Sequence, residues 1–260
     1  MSVIFLRLRN KNQKVPWGVE IKLKYMRIAF NKYPQIIGGI SERSDDSMVW
    51  WNRMPVDEVI RKNRDQYFKR LGIDPERVVA GGIAHGTHVA IIGEQEAGKY
   101  LLNTDALITN VPNLFLTITT ADCMPVFCYD PITGGLGIIH VGWRGLVGGV
   151  LENTIHEFHN SYGSQPESLL IVIGPHIKAC HYEVGDGVAT QFAEQNIEHR
   201  NGRLYAKLAD EAETRLRRLG VKNISVNPIC TYDDIGRFYS ARRDKAEPLQ
   251  GMVAYIAISS

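Results

Sequence analysis

The chain has 260 residues, 44% hydrophobic and 22% charged, the balance of an ordinary globular protein with enough apolar material for a sizeable core. A formal net charge of +2 gives no footprint for nucleic acid, and the short basic clusters Arg215-Leu-Arg-Arg218 and Arg242-Arg243 read as a solvated helix face and a structural ion pair. No stretch of ~20 apolar residues occurs, so no membrane span is expected. With four cysteines, a core that needs no disulfides and no signal sequence, a cytoplasmic setting with free thiols is expected.

At the amino end, Ser2–Leu8 alternates as a strand does. Trp17–Phe30 places Val19, Ile21, Leu23 and Tyr25 on one face and charged residues on the other, a period-two strand with one wet face. Gln35–Ile40 reads as another strand, Ser41–Asp46 as a polar loop and Met48-Val-Trp-Trp51 as an apolar patch in irregular chain. A helix is expected from about Pro55 to Leu71, with Ile60, Tyr67, Phe68 and Leu71 as its stripe. Strands are expected at Val78–Ala80, Val89–Ile92, Ala106–Ile108 and Leu114–Thr119. Apolar runs Met124–Tyr129 and Leu136–Val141 read as buried strands joined by a turn at Pro131–Gly135. Leu146, Val150, Leu151, Ile155 and Phe158 recur at helical spacing, so a helix starts near Arg144 or Gly145. Leu169–Ile173 is a short strand, Val188–Gln195 and Leu208–Leu219 are amphipathic helices, the second stopped by Gly220, and Ile224–Val226 and Met252–Ile258 are late strands. This order predicts a mixed α/β (α+β) fold, one domain over residues 1–260, with central mixed sheets flanked by helices.

The chemistry concentrates between Thr119 and Gly149, where Cys123, His140 and Arg144 sit at strand ends. His85, in Gly82-Ile-Ala-His-Gly-Thr-His88, is the natural third partner of Cys123 and His140. Two imidazoles and a thiolate suit zinc, and three protein ligands leave one tetrahedral position open, as catalytic zinc requires. Zinc with one thiolate keeps a +1 charge, able to hold an anion or acidify water to a pKa of ~7. Spacing alone favours blander readings, with Cys123 a buried apolar thiol and His140 bonded to a carbonyl. His88 competes with His85, but in extended chain the two face opposite ways, and His88 is expected to face solvent. Arg144 reads equally as an oxyanion ligand at a helix start and as a structural ion pair. Asp122 points away from Cys123 in a regular strand, yet serves as anchor or proton carrier if the strand ends there. Cys128 reads as core, Cys180 and Cys230 also as core, and Tyr182-Glu183 and Tyr239–Asp244 either as site walls or as structural pairs. The glycines after His140 lack the G-x-G-x-x-G order of a dinucleotide fingerprint.

The set His85-Gly-Thr87, Thr120-Ala-Asp-Cys123, His140-Val-Gly-Trp-Arg-Gly145, Ile173-Gly-Pro175, Cys180 with Tyr182-Glu-Val-Gly185, Cys230-Thr231, Phe238-Tyr-Ser240 and Arg242-Arg-Asp244 resembles the YfiH/YlmD-like family, once called polyphenol oxidoreductase laccases. The resemblance covers roughly residues 75–258. It implies an architecture similar to the cytotoxic necrotizing factor catalytic domain, with zinc bound by His85, Cys123 and His140. It also implies phosphorolysis of purine nucleosides (adenosine, inosine, guanosine, methylthioadenosine) with adenosine deamination, and a link of bacterial relatives to peptidoglycan-precursor editing. On this reading Cys123, Arg144 and Asp122 carry catalysis and Arg144 and Arg243 bind substrate. The partners are then a purine nucleoside and phosphate, with neither nucleic acid nor membrane, for a monomer or weak homodimer. Ile83 stands where the family usually has Gln, and the Trp50-Trp51 loop lacks the family's Gly-rich pattern.

Three other functions fit some of these residues. Copper-dependent polyphenol oxidation needs paired histidine clusters, whereas the eight histidines here are scattered. A metal-free Cys–His amidase acting on peptidoglycan precursors would use Cys123 as nucleophile. A zinc-stabilised binding module would melt on chelation and turn over nothing.

Overall fold

The structure, a computed structural model, describes residues 26–28, 30, 32–50 and 57–259, with backbone alone at 26–28. The expected strand at Ser2–Leu8, most of the one at Trp17–Phe30, and Trp51 and Pro55 lie outside the described residues. The strands are β1 Met26–Ile28, β2 Ile36–Ile40, β3 Val78–Gly81, β4 Val89–Ile91, β5 Tyr100–Leu101, β6 Ala106–Thr109, β7 Phe115–Thr120, β8 Met124–Tyr129, β9 Leu136–Val141, β10 Leu170–Ile173, β11 Glu183–Val184, β12 Ile197–Arg200, β13 Arg203–Ala206, β14 Asn223–Val226 and β15 Met252–Ile258. The helices are α1 Glu58–Arg70, α2 Trp143–Gly148, α3 Val150–Tyr162, α4 Asp186–Ala189, α5 Leu208–Arg218 and α6 Ala241–Asp244.

Two six-stranded mixed sheets form, ordered β1-β2-β15-β7-β3-β5 and β14-β10-β8-β9-β6-β4, beside a three-stranded sheet β11-β13-β12. Side-chain alternation sorts the core into layers. On β8 and β9, Phe127, Tyr129, Leu136 and Ile138 meet Leu116, Ile118, Ala254 and Ile256 of the first sheet. Their neighbours Met124, Val126, Cys128, Ile139 and Val141 face the other way, with Leu151, Ile155, Phe158, Ala212 and Leu216 of α3 and α5. The outer face of the first sheet, at Val78, Val253 and Tyr255, takes Tyr67 and Phe68 of α1. The result is helix, sheet, sheet, helix. Both faces of β8 and β9 are covered, which is why their sequences read as unbroken apolar runs rather than alternating ones.

α1 begins at Asp57, whose carboxylate accepts from the N–H groups of Val59 and Ile60. Its core face includes Arg64, which donates to the Met48 carbonyl and to Thr117 Oγ1. The helix expected from Arg144 is two helices. Gly149 at φ 97° breaks it after the six residues of α2, and α3 then presents the expected stripe. The helix expected at Val188–Gln195 is reduced to α4. Glu211 of α5 accepts from the Ala193 N–H and from Asn196 Nδ2, drawing this stretch off a helical path. Among the described residues no helix is long and apolar enough to cross a membrane.

Candidate metal centre

Strand order gathers the site at one end of the second sheet. β8 and β9 are antiparallel with Met124 opposite Val141, so Cys123, just before β8, lies beside the end of β9. β6 runs antiparallel to β9 with Ala106 opposite Ile139, which puts Asp105 next to His140. β4 runs parallel to β6, bringing the loop before it, with His85, to the same end. One ligand atom each from His85, Cys123 and His140 lies within 4.8 Å of the others, and the two imidazole rings meet edge to face at 5.0 Å. His85 is exposed, Cys123 half-buried and His140 buried, so the cluster opens outward on the His85 side.

Asp105 organises this cluster. It is fully buried, and its Oδ1 lies 3.0 Å from His140 Nδ1. The same carboxylate accepts from the backbone N–H groups of Ala84 (3.2 Å), His85 (3.0 Å) and Gly86 (2.8 Å). These bonds hold His85 at φ 58°, a left-handed conformation that is costly for a non-glycine residue. With a carboxylate on its Nδ1, His140 keeps that proton, and Nε2 is the ring atom left to bind a metal. Burial raises the Asp105 carboxyl, but the His140 bond and the backbone N–H groups outweigh it and hold the group below its usual range. A Cβ on Gly142 would stand 2.9 Å from Cys123 Sγ and 3.3 Å from His85 Cδ2, so only glycine lets the chain turn into α2 against the ligands.

The charges reinforce one another. Burial pushes the Cys123 thiol up, yet His140, by charge and hydrogen bond, and then His85 overcome it and bring the thiol down to about 6. Burial pulls His140 down, but the Cys123 thiolate and the Asp105 carboxylate raise it to about 9. Without metal the pair is thus a thiolate beside an imidazolium.

The other expected site residues separate. Asp122 is buried at φ 85° in the turn between β7 and β8. It accepts from Thr231 Oγ1 (2.6 Å), Ser240 Oγ (2.9 Å) and the Arg242 N–H (2.8 Å). Three donors on one carboxylate tie the β7–β8 turn to Thr231, Ser240 and Arg242. Arg144 is exposed, lies 4.5 Å over the Trp143 ring and is close enough to Tyr182 for its charge to act on that phenol. α2 is too short to add much dipole to it. Arg243 corrects the expectation of substrate binding. Its guanidinium donates to the carbonyls of Thr231 (2.9 Å), Tyr232 (2.6 Å) and Phe238 (2.7 Å) and to Asp244 (2.7 and 3.0 Å), leaving no donor for a ligand. Its neighbour Arg242 is exposed, donates to the Glu183 carbonyl and lies 5.3 Å from the Tyr182 ring, on the site side. His88 is exposed and outside the cluster, and Cys128 is buried in the core, both as expected. Cys180 is not a core residue but exposed. Ile83 packs its side chain against the inter-sheet core.

Sequence reasoning missed Asp105. Its signal was a lone acid directly before the buried strand β6, a position that has no use for a charge unless something polar faces it.

A mixed α/β fold with a His–Cys–His cluster at a sheet end defines a protein with the donor set of a metal centre. The chain belongs to the family described as multi-copper polyphenol oxidoreductase laccase, whose sequence model matches residues 37–259. It is 35% identical over 209 residues to a purine nucleoside phosphorylase of Xylella fastidiosa, covering 76% of this chain and 78% of that one. It is 33% identical over 212 residues to one of Deinococcus radiodurans, covering 80% and 77%. The crystal structure of YlmD from Geobacillus stearothermophilus superposes over 100% of both chains with a TM-score of 0.84 at 22% identity, which shows the shared fold.

Proposed function

We propose that this chain is a zinc-dependent purine nucleoside phosphorylase with adenosine deaminase activity. The observation that carries the reading is the convergence of His85, Cys123 and His140 donor atoms within 4.8 Å, with His140 oriented by buried Asp105. Two imidazoles and a thiolate fit zinc, and the relatives named above bear the phosphorylase name. When bound, zinc supplies Lewis-acid chemistry and a lowered water pKa.

The chain's own residues do the rest. Asp105 keeps the Nδ1 proton on His140, so Nε2 stays a donor atom toward the cluster. Arg144, exposed and two residues after the Gly142 that lies against Cys123 and His85, holds phosphate by charge and a fork of hydrogen bonds. A phosphate oxygen of hydrogen phosphate forms the bond to the anomeric carbon as the C–N bond breaks, and the purine leaves with the electron pair and takes the proton that the phosphate gives up. Tyr182, half-buried and within electrostatic reach of Cys123, Arg242 and Arg144, forms the wall against which the nucleoside lies. Asp122 and Arg243 hold the 231–244 loop that backs this wall.

The test is to incubate the full chain with adenosine and inosine, with and without phosphate, and identify products by chromatography. Free base and ribose 1-phosphate should form only with phosphate, and inosine should form from adenosine without it. Chelation or Cys123→Ala should abolish both. A folded Cys123→Ala protein with full activity overturns the reading. Copper chemistry, which the family description carries, predicts instead that copper loading switches on phenol oxidation.

A further inference from the structure

A second group of metal-ligating side chains lies outside the centre described above. Cys180, His181, Cys230 and Asp233 each offer a donor atom, all within 4.8 Å of one another. They come from two loops, one after β10 and one after β14. The loops are fixed to each other by the Thr231 N–H bond to the His176 carbonyl (3.1 Å) and a bridge between His176 and Cys230.

The donor spacings are of the length that pairs of ligands on one ion make, with Cys180 and His181 facing different oxygens of the Asp233 carboxylate. Cys180 Sγ is 3.6 Å from Cys230 Sγ and 3.5 Å from Asp233 Oδ2, and His181 Nδ1 is 3.3 Å from Asp233 Oδ1. Zinc with Zn–S of ~2.3 Å and Zn–N and Zn–O of ~2.0–2.1 Å sets such spacings at about 3.8, 3.5 and 3.3 Å. His181 Nδ1 is buried and makes no hydrogen bond, although Asp233 faces it. The ring is held in place by stacking on Tyr232, 4.0 Å between centroids and 10° from parallel. A buried ring nitrogen without a hydrogen bond, on a residue grouped within 4.8 Å of two thiols and a carboxylate, is placed to share a cation with them.

We propose that Cys180, His181, Cys230 and Asp233 bind a second divalent metal of the zinc type. Four protein ligands close the coordination sphere, so this site is structural, in contrast to the three-ligand centre with its open position. Two thiolates and a carboxylate leave a net charge of −1 on zinc, and Lys178 lies close enough for its charge to reach both thiols. The site ties Tyr182, next to His181, to the 230–234 loop. Thr231 of that loop bonds Asp122, the neighbour of Cys123. The clip thereby fixes one wall of the first centre.

The full-length chain, purified under reducing conditions, is stripped with chelator and reloaded with zinc or cobalt. Bound metal is counted by elemental analysis. Wild type should hold about two equivalents, and Cys123→Ala and Cys180→Ala about one each. Cobalt-loaded Cys123→Ala should still show thiolate-to-cobalt charge transfer, since its remaining thiolate ligands are those of the second site. His181→Ala, which leaves all thiols in place, should lose the same equivalent as Cys180→Ala and melt at lower temperature. A folded Cys123→Ala protein that binds no metal overturns the proposal. So does Cys180→Ala or His181→Ala with an undiminished metal count, or a Cys180–Cys230 disulfide in the reduced preparation. If wild type holds one equivalent that survives Cys123→Ala and vanishes in Cys180→Ala, the first centre fails and this one stands.

Discussion

Asp105→Asn is the sharpest perturbation of the first centre, because it keeps shape and changes only which atoms can accept. The carboxylate takes four donors: His85 N–H and His140 Nδ1 on Oδ1, and Ala84 and Gly86 N–H on Oδ2. An amide has one oxygen. If that oxygen keeps Ala84 and Gly86, the NH2 group faces His140 Nδ1, which can then only accept. His140 must move its proton to Nε2, the atom required as ligand. Loss of such a supporting partner weakens metal binding by roughly 10–100-fold, about 1.4–2.8 kcal/mol. The backbone bonds that survive should keep the fold, at a cost of about 1.5–3 kcal/mol for a weakened charge-assisted bond. Zinc affinity is measured by competition with a chromophoric chelator, and fold by circular dichroism. Asp105→Asn that binds zinc within about twofold of wild type would refute the assignment of Asp105 as the residue that sets the His140 tautomer.

Gly142→Ala places a methyl group 2.9 Å from Cys123 Sγ, so zinc affinity should fall, while the far-UV circular dichroism spectrum stays native. Arg144→Ala should raise the KM for phosphate with little change in melting temperature, because the side chain is exposed. Arg243→Ala should do the reverse, lowering the melting midpoint by removing the brace on the Thr231, Tyr232 and Phe238 carbonyls. In metal-stripped protein the Cys123 thiol, lowered to about 6, should react with iodoacetamide at a rate that climbs through pH 6 and levels above it. A rate still rising between about pH 7 and 9, as for an ordinary thiol near 8.5, contradicts this.

How much was legible in the sequence depended on how locally each feature is determined. β8, β9 and β15 were bounded correctly because covered strands show continuous apolar runs between turn residues. The Val188–Gln195 helix failed because its fate is set by Glu211, a residue of another element that binds Ala193 and Asn196. β11, β12 and β13 were missed because all three are short and mostly half-buried, so their side chains carry little pattern. The split of one helix into α2 and α3 needed only a left-handed Gly149, but Gly145, Gly148 and Gly149 all competed for that role in sequence.

The grouping of the candidate donors was legible in sequence, and what holds them was not. Residue type made His85, Cys123 and His140 candidates, spacing alone left blander readings ahead, and the family motifs tipped the choice; the structure brings their donor atoms within 4.8 Å of one another. Arg243 and Arg144 could not be told apart on those terms, since both are arginines beside the motifs. What separates them is whether backbone carbonyls have already consumed the donors, and that is decided by a loop closing 5–12 residues away. Asp105 shows the same limit from the other side. Its partners span Ala84 to His140, so no window of sequence contains its function. The topology does, because β4, β6, β9 and β8 are neighbours in one sheet and must bring the same ends together. The same reasoning separates the two cysteine clusters. Cys123 is grouped with two imidazoles, three donors that leave one position of a tetrahedral ion unfilled. Cys180 and Cys230 are grouped with an imidazole and a carboxylate, four donors in all, the number that fills a tetrahedral ion.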